Sequence, residues 1–387
     1  MKRSTERILT THVGSLTRPP EIIDAMRARV NQQPYDAEMF AENLRKGVSD
    51  IVRRQAEIGI DIVSDGEFGK SGFAAYTNER LGGFERRPGN PGESVSRGKD
   101  RKDFAEFYRE YDRLTQSHRP VRWRWVCTGP ITYDPTLVQI DIANFNAALA
   151  GVAVTEAFMP VAAPITVETD RPNEYYPTQE AYLYAIADAL KQEYQAIADA
   201  GFLLQLDDPW ITARWDQLLP DIDLQEFQKF CETRIEATNY ALADIPRERI
   251  RYHICWGSWH GPHSTDIPIK HIQPLFLKVK AGAYLFEAAN VRHEHESSDW
   301  QNSKPPEGTL LVPGVVTHAT NLIEHPELVA QRIVRFAKIV GRENVLAGTD
   351  CGFSQGPFSA KVHPTIQWAK LRALVEGARL ASKELWS

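Results

Sequence analysis

The sequence predicts an α/β protein folded as a (β/α)8 barrel, also called a TIM barrel. Two observations support this fold. A unit recurs along the chain in which an amphipathic helix is followed by a glycine and then by a short apolar strand. In addition, eight strand-like segments are spread across the 387 residues, with helical segments between them. Strands that alternate with helices are typical of parallel sheets, and a count of eight favours a barrel.

The helix–glycine–strand unit is clearest at three places. Helical runs of apolar residues end at Gly59, near Gly201 and at Gly341, and each glycine precedes a short apolar run. A glycine just beyond the last turn is a common way of ending a helix. A doubly wound sheet is the alternative fold. However, no Gly-x-Gly-x-x-Gly follows a strand to support a dinucleotide site of that fold.

The eight predicted strands are all short and mainly apolar. They cover residues 8–13, 60–64, 121–127, 202–206, 250–255, 284–287, 309–315 and 344–349. Residues 85–118 interrupt the alternation, with a loop rich in proline and glycine and a short amphipathic helix. We therefore expect one barrel domain over residues 1–387, with residues 85–118 inserted after the second strand. The insertion is expected to be a lid or subunit contact, or else a solvated surface excursion.

Composition and charge exclude several classes of partner. The net charge of −6 gives no reason to expect a nucleic acid or an anionic membrane as partner. The chain contains no apolar run long enough to cross a bilayer, and its first residues lack the apolar stretch of a signal peptide. Four cysteines in so long a chain indicate reduced thiols. We therefore expect a cytoplasmic enzyme, which could form a homo-oligomer.

A metal site is predicted by His253 and Cys255 together with the distant Cys351. Alternate residues of a strand point to the same face, so His253 and Cys255 can bind one ion together. Imidazole and thiolate are preferred ligands of Zn²⁺. Three protein ligands leave a position open for substrate, as in catalytic zinc sites. Glu287, at the end of another predicted strand, could add a weak fourth ligand that leaves when substrate arrives.

The ligand set also indicates which group the zinc activates. A thiol that reaches zinc loses its proton because the metal lowers its pKa. Two thiolate ligands donate charge and make the zinc a poorer Lewis acid for water. A thiol is therefore favoured as the activated group. A zinc hydrolase and a non-catalytic protein with a structural zinc remain the alternatives from other classes.

Several blocks of the chain resemble the cobalamin-independent methionine synthase family, in particular its short, single-barrel relatives. The resemblance runs through nearly the whole chain, and the blocks occur in the family's order. They are Thr10-Thr-His-Val-Gly-Ser15, Asp61-Ile-Val-Ser-Asp-Gly-Glu67, Gln205-Leu-Asp-Asp-Pro209, His253-Ile-Cys255, Phe286-Glu287, Pro313-Gly-Val315 and Asp350-Cys-Gly352.

The resemblance implies a role for each matching position. It makes His253, Cys255 and Cys351 zinc ligands, with Glu287 exchanged for the substrate thiol. It makes Gly14 and Ser15 the site for an amino acid carboxylate, and Glu67 and Asp207 the site for its ammonium group. These pairings suit the chemistry, since carboxylates bind cations through charge-assisted hydrogen bonds. His318 and Asp208 are the candidates for the acid that protonates the leaving group.

The reaction implied is methyl or alkyl transfer to a small-molecule thiol. In the form typical of the family, homocysteine is methylated from a methyl-folate-type donor. Other sequence features resemble the branch that contains epoxyalkane:coenzyme M transferase, which alkylates a different thiol. We therefore expect either a methionine synthase-like reaction or alkylation of another thiol at the same zinc.

Overall fold

The computed structural model describes residues 1–89, 97–115, 123–357 and 362–387. The chain has an α/β fold, built on a curled sheet of seven parallel strands with helices packed against it. In chain order the strands are β1 (Ile62–Ser64), β2 (Leu81–Pro88), β3 (Trp123–Tyr133), β4 (Glu156–Ala162), β5 (Leu203–Asp207), β6 (Ile250–His253), β7 (Ala283–Phe286), β8 (Leu310–Val316) and β9 (Gly348–Thr349). The seven-stranded sheet has the order β1-β4-β5-β6-β7-β8-β9, so its strands follow the chain.

The α-helices of the described residues lie before, between and after the strands. They are α1 (Pro20–Val30), α2 (Ala37–Glu57), α3 (Lys99–Asp103), α4 (Ala105–Thr115), α5 (Thr136–Leu149), α6 (Pro164–Glu168), α7 (Gln179–Asp199), α8 (Trp210–Leu218), α9 (Leu224–Ala241), α10 (Ile269–Phe276), α11 (Pro326–Val340) and α12 (Pro364–Leu385). Within the described parts of the chain, none of them combines the length and apolarity needed to span a membrane.

The three helix–glycine–strand units are confirmed. Gly59, Gly201 and Gly341 follow α2, α7 and α11, with φ values of 91°, 95° and 91°. A glycine adopts this left-handed conformation without the steric cost that a Cβ brings, and so it can end a helix sharply. The first turns are also fixed locally. For example, Asp223 and Glu226 form a reciprocal capping box at the start of α9.

The segment predicted as the first strand, residues 8–13, forms a single bridge instead of a regular strand. Thr10 pairs in parallel with Ala347 just before β9. On the other side, the Thr10 carbonyl accepts hydrogen bonds from the backbone N–H groups of Asp61 and Ile62, at 3.2 and 3.0 Å. The segment therefore makes backbone hydrogen bonds at both edges of the sheet. On one edge they involve the start of β1, and on the other the residues just before β9.

The third predicted strand, at residues 121–127, was wrong as a member of the parallel sheet. Residues 121–122 lie outside the described residues, and the remainder belongs to β3, which pairs antiparallel with β2. Its exposure varies along the strand, as expected where only one face packs on protein. The strand that lies in the parallel sheet in its place is β4, which pairs with β1 and β5. Pro160 lies inside β4 and weakens its strand signal in the sequence.

The region predicted as an insertion, residues 85–118, lies between β1 and β4 in the chain. Residues 90–96 and 116–118 of it are outside the described residues. The described part contains the end of β2 and the short helices α3 and α4. The strands β2 and β3 frame it as a separate two-stranded sheet. The two-stranded sheet therefore begins at Leu81, before the first residue of the predicted insertion.

The sheet has a buried apolar layer on each side. A small cluster of buried side chains from β1, β4, β5, β7 and β8 fills one side, together with Leu9 and Val13. A much larger cluster joins the opposite side to the helices. Parallel strands buried on both faces explain why these runs are almost continuously apolar in the sequence.

Arg80 joins three elements through buried ion pairs. Its guanidinium binds Asp141 on α5 and Glu193 on α7, and the three side chains are 3%, 6% and 1% exposed. Removing one partner of a buried ion pair leaves uncompensated charge in a medium of low dielectric constant. We expect Arg80→Met to lower the free energy of unfolding by about 3–5 kcal/mol, measured by urea denaturation. Arg379→Met, which breaks an exposed pair with Glu376, should leave it almost unchanged. Equal effects of the two substitutions would contradict this interpretation.

Candidate metal and substrate site

His253, Cys255 and Cys351 lie together at the carboxyl end of the parallel sheet. His253 is the last residue of β6, Cys255 follows two positions later, and Cys351 lies two residues after β9. One ligand atom from each lies within 4.8 Å of those from the other two, and all three residues are buried. The two sulfur atoms are 3.6 Å apart. Residues that are a hundred positions apart in the chain therefore converge on one point.

The donor atoms fit a zinc ion. Zn–S bonds of about 2.3 Å at tetrahedral angles place two sulfur ligands about 3.8 Å apart, close to the separation found here. One imidazole and two thiols are also the donor types that zinc prefers. The three residues could therefore hold zinc without rearrangement of the backbone.

Polar contacts fix the orientation of the His253 ring. Its Nδ1 lies 3.0 Å from Asp207 Oδ1, and its Nε2 lies 3.3 Å from the Asp350 carbonyl oxygen. Burial lowers the pKa of His253, but hydrogen bonds to Asp207 and Cys351 outweigh this and raise it to about 10. A carboxylate that binds the second ring nitrogen is a common support for a metal-binding histidine.

The two cysteines have opposite proton affinities. The hydrogen bond with Cys255 holds the pKa of Cys351 well below its usual range, and the positive charge of the nearby histidines adds to this effect. The same contact, together with burial, raises the pKa of Cys255. Without a metal, the contact between the two cysteines therefore favours the thiolate form at Cys351 and the thiol form at Cys255.

Asp350 stabilises the backbone next to the three candidate ligands through hydrogen bonds. Its Oδ1 accepts hydrogen bonds from the backbone N–H groups of Ala288 and Ala289, at 2.8 and 2.9 Å, and its Oδ2 accepts one from Asn290 at 3.1 Å. Burial and the charge of Glu287 raise the pKa of Asp350 to about 7, although these hydrogen bonds oppose the shift. The carboxyl group thus ties the end of β9 to the loop that follows β7.

Glu287 lies near the three ligands but outside their cluster. Its Oε1 accepts a hydrogen bond from the backbone N–H of Trp256 at 2.8 Å. Its Oε2 accepts hydrogen bonds from Asn290 at 2.6 Å and from Arg292 at 2.8 Å. Both carboxylate oxygens of Glu287 therefore bind other protein groups in this structure, whereas the sequence suggested that Glu287 is a fourth metal ligand.

A cavity of about 210 Å³ opens beside the three ligands. Three residues predicted to bind substrate also line it: Ser15, Glu67 and Asp207. The remaining lining residues are Val13, Phe73, Pro209, Gly257, Ser258, Trp259, Gly352 and Gln355, in addition to the ligands themselves. The structure thus brings predicted metal ligands and predicted substrate-binding residues to one space.

Glu67 and Gly14 are packed closely together at this cavity. Gly14 has φ +140°, and a Cβ there would lie 2.4 Å from Pro160 Cγ and 2.9 Å from Glu67 Oε1. Glycine therefore makes room for the carboxyl group. Burial raises the pKa of Glu67 to about 7; the charge of Lys70 opposes this shift and that of Asp207 reinforces it. Glu67 itself has φ +58°, a conformation that non-glycine residues seldom adopt.

The two candidates for a catalytic acid lie in different places. His318 Nε2 is 3.0 Å from Ser258 Oγ, which in turn is 3.8 Å from Cys351 Sγ. His318 thus reaches the cavity through Ser258. The Asp208 side chain does not line the cavity and accepts a hydrogen bond from Tyr252 at 2.6 Å. Burial raises the pKa of Asp208 to about 7. Asp207 lines the cavity and Asp208 does not, because successive residues of a strand point to opposite faces.

Ser258 and Trp259 were not predicted from the sequence. Both line the cavity, and Ser258 connects His318 with Cys351. They belong to the run Trp256-Gly257-Ser258-Trp259, which begins directly after Cys255. Gly257 has φ +92°, and a Cβ there would lie 2.3 Å from the Trp259 ring. An aromatic residue beside a glycine, immediately after two metal ligands, is the signal that could have identified this loop.

The chain is similar to several known proteins. Residues 8–92 match the family model described as cobalamin-independent synthase, catalytic domain. The chain is 24% identical to a methionine synthase of Sulfolobus acidocaldarius, covering 97% of this chain and 93% of the relative. It is also 24% identical to 2-hydroxypropyl-CoM lyase of Xanthobacter autotrophicus, covering 98% and 96%.

A solved structure shows the same fold. The B12-independent methionine synthase from Shewanella sp. W3-18-1, solved with selenomethionine, superposes with a TM-score of 0.73 at 20% identity, covering 98% of this chain and 99% of the other. The resemblance of this chain to the cobalamin-independent methionine synthase family is therefore confirmed, and it extends over nearly the whole sequence.

Proposed function

We propose that the protein is a zinc-dependent transferase that moves a methyl or alkyl group to the sulfur of a small thiol. One observation carries the proposal. His253, Cys255 and Cys351 converge at a cavity that is also lined by Ser15, Glu67 and Asp207. A soft metal site thus lies next to groups suited to hold an amino acid. The methionine synthase relatives and the shared fold support a transferase of this type.

The metal and the protein have separate tasks in this proposal. When bound, zinc lowers the pKa of an incoming thiol and supplies a thiolate nucleophile at neutral pH. Ser15 and the carboxylates of Glu67 and Asp207 fix the position of the rest of the thiol substrate. Holding sulfur and electrophilic carbon in line removes most of the entropic cost of the reaction.

The acidic wall favours an amino acid thiol such as homocysteine over coenzyme M. Glu67 and Asp207 attract an ammonium group through charge-assisted hydrogen bonds. The same two carboxylates repel a sulfonate, because like charges in a buried space are costly. The lyase relative keeps alkylation of coenzyme M as the second candidate. Both candidates use the thiol at the same metal, and so they differ in substrate and not in mechanism.

His318 is the better placed of the two predicted acids. It contacts Ser258 at the cavity wall, whereas Asp208 is turned away from the cavity. A proton could therefore enter through the His318–Ser258 pair if the leaving group requires one. Glu287, held by Arg292 and Asn290, would have to exchange these partners in order to act as a fourth ligand.

We further propose that the seven-stranded sheet belongs to a closed (β/α)8 barrel in a single domain. The hydrogen bonds of Thr10 to both edges support closure. We also propose that α3 and α4, the described helices of the predicted insertion, cover the site. In support, Tyr108 of α4 accepts a hydrogen bond from Trp259, and Asp100 of α3 accepts one from the backbone N–H of Ser264, at 3.0 and 2.9 Å.

Replacing one sulfur ligand tests the metal site. We expect Cys351→Ser to lose stoichiometric zinc and all transfer to a thiol, because a hydroxyl is a poor replacement for a thiolate ligand. Zinc content is measured by atomic emission after dialysis, and transfer by mass spectrometry of the thiol product. Cys231→Ala is the matched control, since that cysteine is buried on α9, away from the site. Full transfer by zinc-free Cys351→Ser protein would sink the proposal.

Titration with thiols tests the acceptor. Zinc-edge X-ray absorption should show one added sulfur ligand when homocysteine is bound, and a weaker response to coenzyme M, because of the acidic wall. A response to coenzyme M alone would select the second candidate. Hydrolysis of an ester or amide without any thiol would instead indicate a zinc hydrolase. A zinc environment that no thiol changes would point to a structural metal.

The pH dependence of binding tests the role of Glu67. Its pKa of about 7 makes the carboxyl group charged above that pH and neutral below it. We expect the affinity for homocysteine, relative to 4-mercaptobutanoate, to fall several-fold as the pH drops through about 7. The reference thiol lacks only the amino group, so the ratio isolates the ammonium contact. Calorimetry measures both affinities. A ratio with the same pH dependence in Glu67→Gln would disprove the assignment.

A further inference from the structure

A second cavity, of about 240 Å³, adjoins the cavity beside the metal ligands. The two share four lining residues: Phe73, Pro209, Gly257 and Trp259. Beyond Arg97 and Trp210, the second cavity meets a wider groove of about 540 Å³ that gives a small ligand a way in. A molecule in the second cavity would therefore lie beside a thiol held in the first.

Aromatic side chains dominate the wall of this second cavity. They are Phe73, Tyr108, Trp210 and Trp259. The Trp259 ring stacks on His263 with centroids 3.7 Å apart, and its Nε1 donates a hydrogen bond to Tyr108 Oη at 3.0 Å. The Tyr108 ring already has the Arg101 guanidinium over it, 4.1 Å from the centroid. Faces of this kind attract cations through the negative charge of their π-electrons.

The charged groups of the cavity also favour a cation. The carboxyl groups in its wall belong to Asp100 and Asp216, and both residues are buried. Burial raises the pKa of Asp100, but hydrogen bonds from Tyr108 and Ser264 outweigh burial and lower it, so the group is ionised at neutral pH.

The two arginines of the wall are each paired with a carboxylate outside it. Arg101 binds Asp112 through two hydrogen bonds of 2.7 and 3.0 Å. Arg97 binds Asp170 at 3.2 Å. The charge of both arginines is therefore balanced by carboxylates outside the wall. The carboxylates of Asp100 and Asp216 then give the cavity a net negative charge. Such a charge repels an anionic ligand.

We propose that the second cavity binds the alkyl donor, and that the donor is a small onium compound, either a sulfonium or a quaternary ammonium ion. This inference rests on the proposed transfer to a thiol. A volume of about 240 Å³ is below the range of roughly 300–1,000 Å³ usual for drug-sized ligands, and so suits a small donor better than a folate.

The chemistry of an onium donor balances without an acid. The lone pair of the thiolate sulfur forms the new S–C bond. The C–S or C–N bond of the onium breaks, and its electron pair stays on the leaving atom, which departs as a neutral sulfide or tertiary amine. No proton is needed, whereas the leaving nitrogen of a folate must be protonated.

A pair of isosteric probes tests the inference. Glycine betaine and 3,3-dimethylbutanoate carry the same carboxylate and differ only in having N⁺ or carbon at the centre of three methyl groups. We expect calorimetry on the zinc-loaded protein to show at least tenfold tighter binding of glycine betaine. Trp210→Leu should remove this preference and leave homocysteine binding unchanged, because Trp210 lines only the second cavity of the two. Trp386→Leu, near the C-terminus, is the matched control.

The outcomes separate this inference from the proposed function. Equal affinity for the two probes, or no binding of either, overturns the onium site even if Cys351→Ser behaves as expected. Binding of 5-methyltetrahydrofolate that depends on Trp210, without discrimination between the probes, replaces the onium by a folate. With trimethylsulfonium, dimethyl sulfide should form one for one with methylated thiol; binding without transfer overturns the donor role.

Discussion

The hydrogen bond between His253 and Asp207 joins the two halves of the candidate site. Its 3.0 Å contact links a predicted metal ligand on β6 to a predicted substrate-binding residue on β5. Asp207 also accepts a hydrogen bond from Gln205, which in turn donates to the Val13 carbonyl near Ser15. Adjacent parallel strands end at the same edge, and so these side chains meet without any long loop. The position of each half therefore depends on the register of two neighbouring strands.

Burial raises the free-energy cost of the charged groups at this site, and it also shifts their pKa values. Glu67, Asp207, His253 and Asp350 are all buried, where isolated charges are strongly disfavoured. Backbone N–H groups and neighbouring charges offset part of the cost, as at Asp350. The rest of the cost appears as displaced pKa values, which bring Glu67 and Asp350 to about 7. Such displaced values are common at functional sites, because the charge is retained for what it binds.

Local pattern predicted that His253, Cys255 and Cys351 lie together better than it predicted the sheet. His253 ends β6 and Cys255 follows two positions later, and this spacing in an extended segment predicts that the two side chains point in the same direction. The sheet was predicted less well. The alternating Arg and Trp residues at 121–127 predict a strand of the barrel, whereas the strand that lies in the parallel sheet, β4, contains Pro160 and was not predicted. Strand preference depends on the neighbours that a strand packs against, and a single sequence does not show these neighbours. The partners of Glu287 were hidden for the same reason.

The environment of Glu287 connects helix α4 with the residues around the candidate metal site. An unbroken chain of contacts leads from helix α4 to this carboxylate: Tyr108, Trp259, His263, Asp266, Arg292 and Glu287. Arg292 is the step that matters, because it divides one guanidinium between two buried acids, Asp266 and Glu287. If Glu287 left Arg292 for a metal ion, the guanidinium would keep only one of the two carboxylates that balance its charge. Burial would make that loss costly. The same arginine therefore opposes ligation by Glu287 and keeps the loop after β6, with Trp259, in place between the two cavities.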